Sequence, residues 1–443
     1  MTLHRFWIGV LAAVMVASPL AGPATAQDKT VFIPLLAYRT GAFAPSGIPS
    51  LNGFNDYFNM LNERDGGIEG VKILFEECEM QYDTKQGVEC YERLKNNHGG
   101  AVLVNPFSTG ITYQLIPKAP LDKVVVHSAG YGMTASADGR WFPWVFNFPM
   151  TYWSQASAFV KYVGKEEGGL DKLKGKKIAH IYHNSPYGKE ANPTLEELAR
   201  KFGFELTLLA VDSPGQEQKA TWLQIRRLNP DWIYFSGWGV MNQVGVKEAV
   251  ATGYRMDRMV GNWWSGSEAD VVPAGESAKG YKSMAFHAAG SGFKVHQDIF
   301  KHVYDKGKGA FASERSRVGE VLYNRTVITG MLNTEAIRTA IKKYGQKPPT
   351  KDQIRWGFEN LNLTEQRIEQ LGFKGMMRPL QVTCENHESN AMAMVHQWDG
   401  KQWKVISEGI EPMRDVVRPK LEAAAVEEGK KLGYTMRDCS KEK

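Results

Sequence analysis

Small hydroxyl and glycyl residues alternate with aromatic ones in the loops that follow the predicted strands of this 443-residue chain. Hydroxyl groups, and backbone N–H groups that small residues leave accessible at a helix start, can hold a carboxylate. Aromatic rings can close over an apolar body. These loops therefore predict a binding site for a small molecule that has both parts. The candidate ligand-binding residues in them are Phe43, Ser108, Thr109, Ala129, Gly130, Tyr131, Tyr187, Trp238, Trp263 and Trp264.

The motifs of common enzyme classes are absent from the sequence. It contains no G-x-S-x-G, no H-E-x-x-H and no G-x-x-x-x-G-K-[ST] phosphate loop. His180 and His183 lie three apart on a predicted strand, so they would face opposite sides of it. We therefore expect no catalytic residue, no metal and no cofactor. A secreted hydrolase that uses a carboxylate pair stays open as an alternative.

Length and charge narrow the classes of partner. A chain of 443 residues exceeds the size at which one core keeps growing, so two domains are expected. The formal net charge is +6, with acidic and basic residues interspersed, which argues against nucleic acid and against a membrane surface as partners. The lysines at 430–431 and 441–443 are interpreted as a solvated tail.

The first 26 residues have the pattern of a secretory signal peptide. A basic start with Arg5 precedes an apolar block at 6–16, and Ala24-Thr25-Ala26 forms an A-x-A end. The apolar block is too short to span a bilayer as a permanent helix. We expect cleavage after Ala26 and export to the periplasm, with no lipid anchor and no second membrane segment.

Four cysteines remain after the expected signal peptide, and export permits disulfides among them. Three pairings are possible. We favour Cys78 with Cys90, which would tie a strand end to the following helix, and Cys384 with Cys439, which would pin the C-terminal tail.

Strands and helices alternate along the chain in two series. This order predicts an α/β protein with two doubly wound parallel sheets rather than one long sheet. The first series has strands at 31–36, 71–75, 101–104 and 124–127 and helices at 51–62, 84–96 and 110–116. The second has strands at 177–183, 205–211, 231–236 and 258–262 and helices at 154–163, 192–202, 219–227 and 240–252. A helix-rich region including 318–340 follows, and 380–406 is predicted as two strands with a turn at Asp399-Gly400.

The segment LNERDGGIEGVK at 61–72 resembles a motif of periplasmic solute-binding proteins of ABC importers, in the branch that serves branched-chain and other hydrophobic amino acids. Pro34-Leu35, Thr40-Gly41 and Pro186-Tyr187-Gly188-Lys189 also resemble segments of that family. The resemblance covers most of the chain at low identity. It implies two Rossmann-like lobes that are joined by three crossing segments and close on a ligand.

The resemblance also implies boundaries and roles. We place lobe I at 27–148 plus about 285–380, and lobe II at 149–284 plus about 381–443, with crossings near 148–152, 284–287 and 379–383. Tyr152, at the first crossing, joins the expected ligand-binding residues. In the family, the loops matching Ser108-Thr109 and Ala129-Gly130-Tyr131 hold the ligand carboxylate, and those matching Tyr187 and Trp238 supply aromatic contacts.

One position departs from the amino-acid binders. They carry a Glu that pairs with the ligand ammonium after the strand that matches 258–262, where this chain has Trp263-Trp264. Glu268 offers another carboxylate four residues beyond. A buried ammonium without a partner is costly, so the two Trp residues favour an aromatic or aliphatic carboxylate over an α-amino acid.

The sequence therefore predicts a monomeric periplasmic binding protein for a small hydrophobic or branched-chain amino acid or a related apolar carboxylate. It would close its lobes on this ligand and deliver it to ABC permease subunits. A module that reports ligand to a receptor instead of a permease is an alternative that the sequence leaves open.

Overall fold

The computed structural model describes residues 1–2 and 29–442 of the chain. Residues 3–26 of the predicted signal peptide, and its expected cleavage site, lie outside the described residues. Within the described part, no helix combines the length and apolar character needed to cross a bilayer. The chain folds as a mixed α/β protein with two parallel-stranded units, which confirms the predicted fold class.

The first unit is built from five parallel strands: β1 Thr30–Ala37, β2 Lys72–Glu79, β3 Leu103–Val104, β4 Val125–His127 and β5 Val145–Phe146. β1 pairs with β2 along its whole length, and β3, β4 and β5 pair in sequence order. Bridges from Phe32 to Ala101 and from Leu35 to Asn105 join the two groups. β5 was not predicted, because two apolar residues carry no periodic signal.

The second unit is a seven-stranded sheet in the order β14-β13-β10-β9-β8-β6-β7. Its parallel strands are β6 Lys177–His183, β7 Glu205–Val211, β8 Trp232–Ser236, β9 Met259–Gly261 and β10 Lys282–Ala285. The hairpin of β13 Ala393–Trp398 and β14 Trp403–Ile410 adds two antiparallel strands. A short antiparallel pair, β11 Asn362–Leu363 and β12 Leu380–Gln381, stands apart.

Helices cover the faces of both sheets, as parallel strands require. Those before β6 are α1 Ala44–Asp65, α2 Thr84–Leu94, α3 Thr109–Leu115, α4 Ala119–Asp122 and α5 Tyr152–Glu166. Those between β6 and β10 are α6 Pro186–Lys189, α7 Asn192–Phe202, α8 Lys219–Leu228, α9 Val240–Ala251 and α10 Glu268–Val271. The later ones are α11 Lys294–His302, α12 Val321–Tyr344, α13 Lys351–Glu359, α14 Glu365–Gln370 and α15 Arg414–Lys431.

The long helices α1 and α12 pack closely beside the first sheet. A Cβ at Gly53 of α1 would lie 2.2 Å from the Thr326 hydroxyl and 2.4 Å from the Tyr323 carbonyl oxygen of α12, so only glycine permits this approach. α1 begins seven residues before the predicted start, inside the segment we expected to be a loop. Pro45 lies in its first turn, where a missing N–H costs nothing.

The chain passes between the two sheets three times. It leaves the first sheet after Phe146, leaves the second after Ala285, and passes again between Gln381 and Ala393. The lysines at 430–431, which we expected in a tail, lie in the last turn of α15 and are exposed. Beyond α15 the chain returns to the first sheet's side, where the Tyr434 hydroxyl donates to the Ile116 carbonyl at 3.2 Å.

Both predicted disulfides are confirmed. Cys78 at the end of β2 is bonded to Cys90 in α2, and Cys384 is bonded to Cys439. The second bond joins the last passage between the sheets to the C-terminal tail.

Candidate ligand-binding site

A cavity with about 20 Å³ of free space lies between the two sheets, at the carboxyl ends of their strands. This is where open parallel sheets bind ligands, because the loops after the strands converge there. The loops of the first unit supply one wall, the first face, formed by Tyr82, Phe107, Ser108, Thr109 and Tyr131. The other wall, the second face, is formed by Tyr152, Tyr187, Trp238 and Trp264.

Hydroxyl groups are concentrated on the first face. Ser108 caps the N-terminus of α3 and accepts the Ile111 N–H at 3.4 Å, and the Thr109 hydroxyl accepts the Gly132 N–H at 3.4 Å. The Tyr82 hydroxyl of the same face lies beside Ser108, and that of Tyr152 reaches across to Thr109. Four hydroxyl groups therefore converge on one part of the cavity.

The backbone of the first face is unusual at two aromatic residues. Tyr82 has φ of 64° and Phe107 has φ of 54°, a left-handed conformation that side chains with a Cβ rarely adopt. The Phe107 N–H donates to the Tyr131 hydroxyl at 2.8 Å, and the two rings stack with centroids 6.3 Å apart. Such conformations persist where the surroundings impose them, often at ligand sites.

The second face is held rigid by hydrogen bonds to the protein. The Tyr187 hydroxyl donates to the Gly237 carbonyl at 2.8 Å and also bonds with the Asn262 side chain. The rings of Trp238 and Trp264 meet edge to face at 5.3 Å. These side chains present ring surface to the cavity in a fixed shape.

The phenol groups around the cavity stay protonated. Burial raises the pKa of Tyr82, Tyr131, Tyr152 and Tyr187 above its ordinary value. Each phenol therefore keeps an O–H donor at neutral pH. A carboxylate accepts hydrogen bonds and donates none, so it matches the donors of Tyr82, Tyr131 and Tyr152, whereas the Tyr187 hydroxyl already donates to the Gly237 carbonyl.

Contacts across the gap between the two units close the cavity. The Gly130 carbonyl of the first unit accepts the indole N–H groups of Trp263 at 2.7 Å and Trp264 at 3.2 Å. Glu190 of the second unit accepts hydrogen bonds from the hydroxyls of Tyr113 and Thr134 of the first. All but one of the lining residues are buried, and Tyr82 is partly exposed.

The structure brings most of the predicted site residues together. Those that line the cavity are Ser108, Thr109, Tyr131, Tyr152, Tyr187, Trp238 and Trp264. Phe43 packs behind it, with its ring 4.5 Å from that of Tyr82. Ala129 is buried beside the lining. The Gly130 carbonyl accepts the indole N–H groups of Trp263 and Trp264 from the second unit. The Trp263 ring stacks on that of Tyr152 with centroids 6.0 Å apart.

Two cavity residues, Tyr82 and Phe107, were missed from the sequence. Tyr82 follows β2 after Met80 and Gln81, and the loop after that strand was not considered. Phe107 immediately precedes Ser108 in a loop that we did consider. Its position after β3 was therefore a signal that could have marked it as a cavity residue. Loops after every parallel strand of a unit meet at one edge.

Glu268, the alternative carboxylate, does not line the cavity. Its carboxyl group accepts the N–H of Val321, at the first residue of α12, at 2.9 Å. No charged side chain lines the cavity in the described part of the chain.

The described residues include no cluster of three or more His, Cys, Asp or Glu side chains placed to hold a metal ion. His180 is buried between the Asn192 and Ser236 side chains at 2.8 and 2.9 Å, and burial lowers its pKa to about 3. His183 contacts Ser185 at 2.8 Å. Both histidines are thus buried residues of β6. What the cavity offers chemically is hydrogen-bond donors and aromatic surface.

Comparison with known proteins is consistent with this geometry. A family model described as periplasmic binding protein matches residues 30–402. A crystal structure described as an ABC transporter permease from the Pseudomonas fluorescens group is 40% identical, covers 93% of this chain and 100% of its own, and has a TM-score of 0.86. No curated protein matches the chain.

Two more distant structures share the fold. A branched-chain amino acid ABC transporter from Thermus thermophilus with bound valine is 18% identical, with 89% of this chain and 98% of its own covered and a TM-score of 0.72. A solute-binding protein of an ABC transporter from R. palustris in complex with benzoate is 14% identical, with 87% and 97% covered and a TM-score of 0.65. The chain thus belongs to the periplasmic binding protein family.

Proposed function

We propose that this chain is the periplasmic component of an ABC importer that captures a small hydrophobic or branched-chain amino acid, or a related apolar or aromatic carboxylate, and delivers it to membrane permease subunits. The observation that carries this proposal is the closed cavity whose walls come from both units. The seven aromatic residues of its lining suit an apolar body, and its hydroxyl groups suit a carboxylate.

The free space in the closed cavity is about 20 Å³, which is room for about one water molecule. A ligand therefore enters only when the two faces move apart. We propose a ligand of the size of benzoate or leucine, because it needs a smaller separation of the faces than a long acyl chain or a peptide. Two distant relatives hold ligands of this size, valine and benzoate.

Binding requires the two units to approach each other. A ligand between the first and second faces contacts both only when the gap is closed, so it stabilises the closed arrangement by its extra affinity for that state. We propose that the lobes comprise 27–148 plus about 285–380 and 149–284 plus about 381–443. The Tyr434 hydroxyl, which donates to the Ile116 carbonyl, brings the C-terminal tail back to the first unit. We propose a monomer, because this motion needs lobes that move independently.

A thermal-shift screen tests the proposal. The panel holds branched-chain and aromatic amino acids, the matching carboxylates that lack the amine, and the matching amides. A ligand that binds only the folded state raises the melting temperature, by about 2.7 kcal/mol of added stability at a hundred times its Kd. A shift with at least one of these ligands is expected. No shift with any of them would contradict the proposed ligand class, and turnover of a bound ligand would revive the hydrolase alternative.

A further inference from the structure

Arg325 is a buried cation near the cavity. It lies in the second turn of α12 with 1% of its surface exposed. Its Nε donates to Nε2 of His287 at 3.2 Å and its Nη1 donates to the Trp263 carbonyl, while its Nη2 has no hydrogen-bond partner among the described residues. A buried arginine with an unused donor is exceptional, because desolvating a charge is costly unless it is paired.

No carboxylate neutralises this guanidinium. The described residues contain no ion pair to Arg325 within 4.0 Å. The carboxyl groups that interact with it are those of Asp270 and Glu268, and both are engaged elsewhere, with the Ser267 and Val321 N–H groups respectively. Burial raises the pKa of Asp270 to about 7, so part of its population is uncharged at neutral pH.

The guanidinium stays charged in this setting. Burial lowers the pKa of Arg325 to about 9, which still leaves it protonated at neutral pH. Burial and the nearby Arg325 charge also lower the pKa of His287, so this contact adds no second cation. The positive charge of Arg325 is therefore offset only by the ionised fractions of Asp270 and Glu268.

This charge lies one layer of side chains from the cavity. Its carbon Cζ sits 4.8 Å from the ring centre of Trp264, which lines the cavity. Tyr152 and Tyr187, two further lining residues, interact electrostatically with it. The lining carries no charged side chain, so Arg325 contributes a positive potential there. Glu190 also interacts with Tyr152, but burial raises the pKa of Glu190 and so favours its uncharged form.

We propose that Arg325 makes this cavity selective for a monoanion, so that the ligand is an apolar carboxylate without an ammonium group. The inference rests on the proposed function. A carboxylate in the cavity gains attraction from the guanidinium through a medium of low dielectric constant, which a neutral amide of the same shape does not. An ammonium group is repelled by the same charge and finds no carboxylate in the lining to offset that repulsion.

The aromatic lining by itself would favour a cationic ligand. Ring faces attract cations, and cages of aromatic residues bind quaternary ammonium groups. Here the guanidinium of Arg325 already occupies a position over the Trp264 ring and lies 4.9 Å from that of Phe286. The protein thus supplies its own cation to these rings, which leaves the cavity suited to an anion.

Matched pairs of ligands test this inference. Benzoate with benzamide, and isovalerate with isovaleramide, differ in charge and hardly in shape. Their Kd values for the mature protein and its variants can be measured by isothermal titration calorimetry. We expect the wild type to bind the carboxylate of at least one pair about tenfold or more tightly than its amide. In Arg325→Met this preference should fall to about threefold or less.

The selectivity ratio separates charge from packing. Losing the contact of Arg325 with Trp263 weakens both members of a pair alike, whereas losing the charge weakens only the carboxylate. Arg325→Lys keeps the charge and should keep the preference. Arg325→Gln is a second neutral variant that retains an amide donor, for use if the Met variant does not fold. Arg338→Met, about 20 Å further along the same helix, removes an arginine without touching the cavity and should keep the wild-type ratio.

Each contrary result has a distinct meaning. A wild-type protein that binds the amides as well as the carboxylates, or neutral Arg325 variants that keep the full preference, would overturn the role of Arg325. Binding of valine or phenylalanine, or of benzylammonium, in preference to the carboxylates would overturn the monoanion inference and leave the protein a small-molecule binder. Failure of every carboxylate, amide and amino acid to bind would instead refute the proposed function.

Discussion

The two faces of the cavity use their polar groups differently. On the first face, the Ser108 and Thr109 oxygens accept long N–H bonds of 3.4 Å and lie beside the Tyr82 and Tyr152 hydroxyls, so this group of O–H donors can turn toward a ligand. On the second face, the Tyr187 hydroxyl already donates to the Gly237 carbonyl, and the Trp264 indole N–H donates to the Gly130 carbonyl. The first face therefore orients a polar group, and the second shapes the space for an apolar body.

Truncation of the second face should have the largest effect on binding. Trp238→Ala removes a buried ring that contacts the rings of both Tyr82 and Trp264. Loss of such an aromatic anchor costs about 2 kcal/mol or more, so we expect the Kd of the best ligand to rise at least about thirtyfold in calorimetry. Tyr187→Ala should act in the same direction.

The control for this change is Trp356→Ala, in α13, where the ring packs on Tyr344 far from the cavity. Its Kd should equal that of the wild type. If both cavity variants kept the wild-type affinity while remaining folded, the second face would have no part in binding.

Removal of hydroxyl groups from the first face should have an intermediate and selective effect. The double change Ser108→Ala with Thr109→Val takes away two donors and keeps the approximate shape. Hydrogen bonds to a charged group contribute about 1.5–3 kcal/mol each, so we expect at least a tenfold loss for a carboxylate and a smaller loss for its amide.

Thr252→Val, which removes a hydroxyl at the far end of α9, is the matched control. Equal losses for carboxylate and amide in the double variant would show that the first face does not orient the charged group, and the contrast between the two faces would fail.

A pH dependence should reveal the closure of the two faces. In the closed arrangement burial raises the pKa of Glu190, which faces the hydroxyls of Tyr113 and Thr134. In an open arrangement water returns this pKa toward its ordinary value of about 4.3. Closure then takes up a proton, so its added stability is fully present below the ordinary pKa and is lost as pH rises through the raised one.

Ligand affinity should accordingly weaken by a few-fold as pH rises from 5 toward 8, as measured by titration at constant ionic strength. Glu190→Gln should flatten this dependence. A wild-type Kd that does not change with pH would mean that Glu190 keeps the same environment in both arrangements.

The smallest effect on binding should come from a change outside both faces. The double change Cys384→Ser with Cys439→Ser removes a cross-link between residues that are 55 apart in the sequence. Loss of this loop closure is expected to lower the free energy of unfolding by about 4 kcal/mol. We expect a lower melting temperature and an unchanged Kd at a temperature where the variant is folded. A weaker Kd would show that the C-terminal tail helps to position one of the faces.

Much of the site was predictable because parallel strands bring their following loops to one edge. The predicted order of elements therefore placed Ser108 with Tyr131 and Tyr187 with Trp238, and the family resemblance implied that these two groups face each other. The same reasoning did not show which loop residues point inward. Trp263 and Trp264 are adjacent and chemically identical, yet only Trp264 lines the cavity, because Trp263 turns to stack on Tyr152.

Arg325 illustrates the part that local pattern could not supply. In the sequence it is one charged residue in a helix, and nothing near it marks it as buried. Its environment comes from Trp263, His287 and Phe286, which lie 38 or more residues away and meet it only through packing.

The sequence by itself determined the α/β alternation and the family, because periodicity and local motifs are properties of short segments. It favoured the disulfide pairing that the structure shows but left three pairings possible. The tertiary structure alone decided which aromatic rings face the cavity. It also decided that Glu268 accepts the first N–H of α12 instead of lining the cavity, and that Arg325 lies behind Trp264 without an ion-pair partner in the part of the chain that the structure describes. These features depend on side chains that folding brings together from distant segments. Burial sets the charge state of those side chains and their freedom to bind, and burial exists only once the chain has folded.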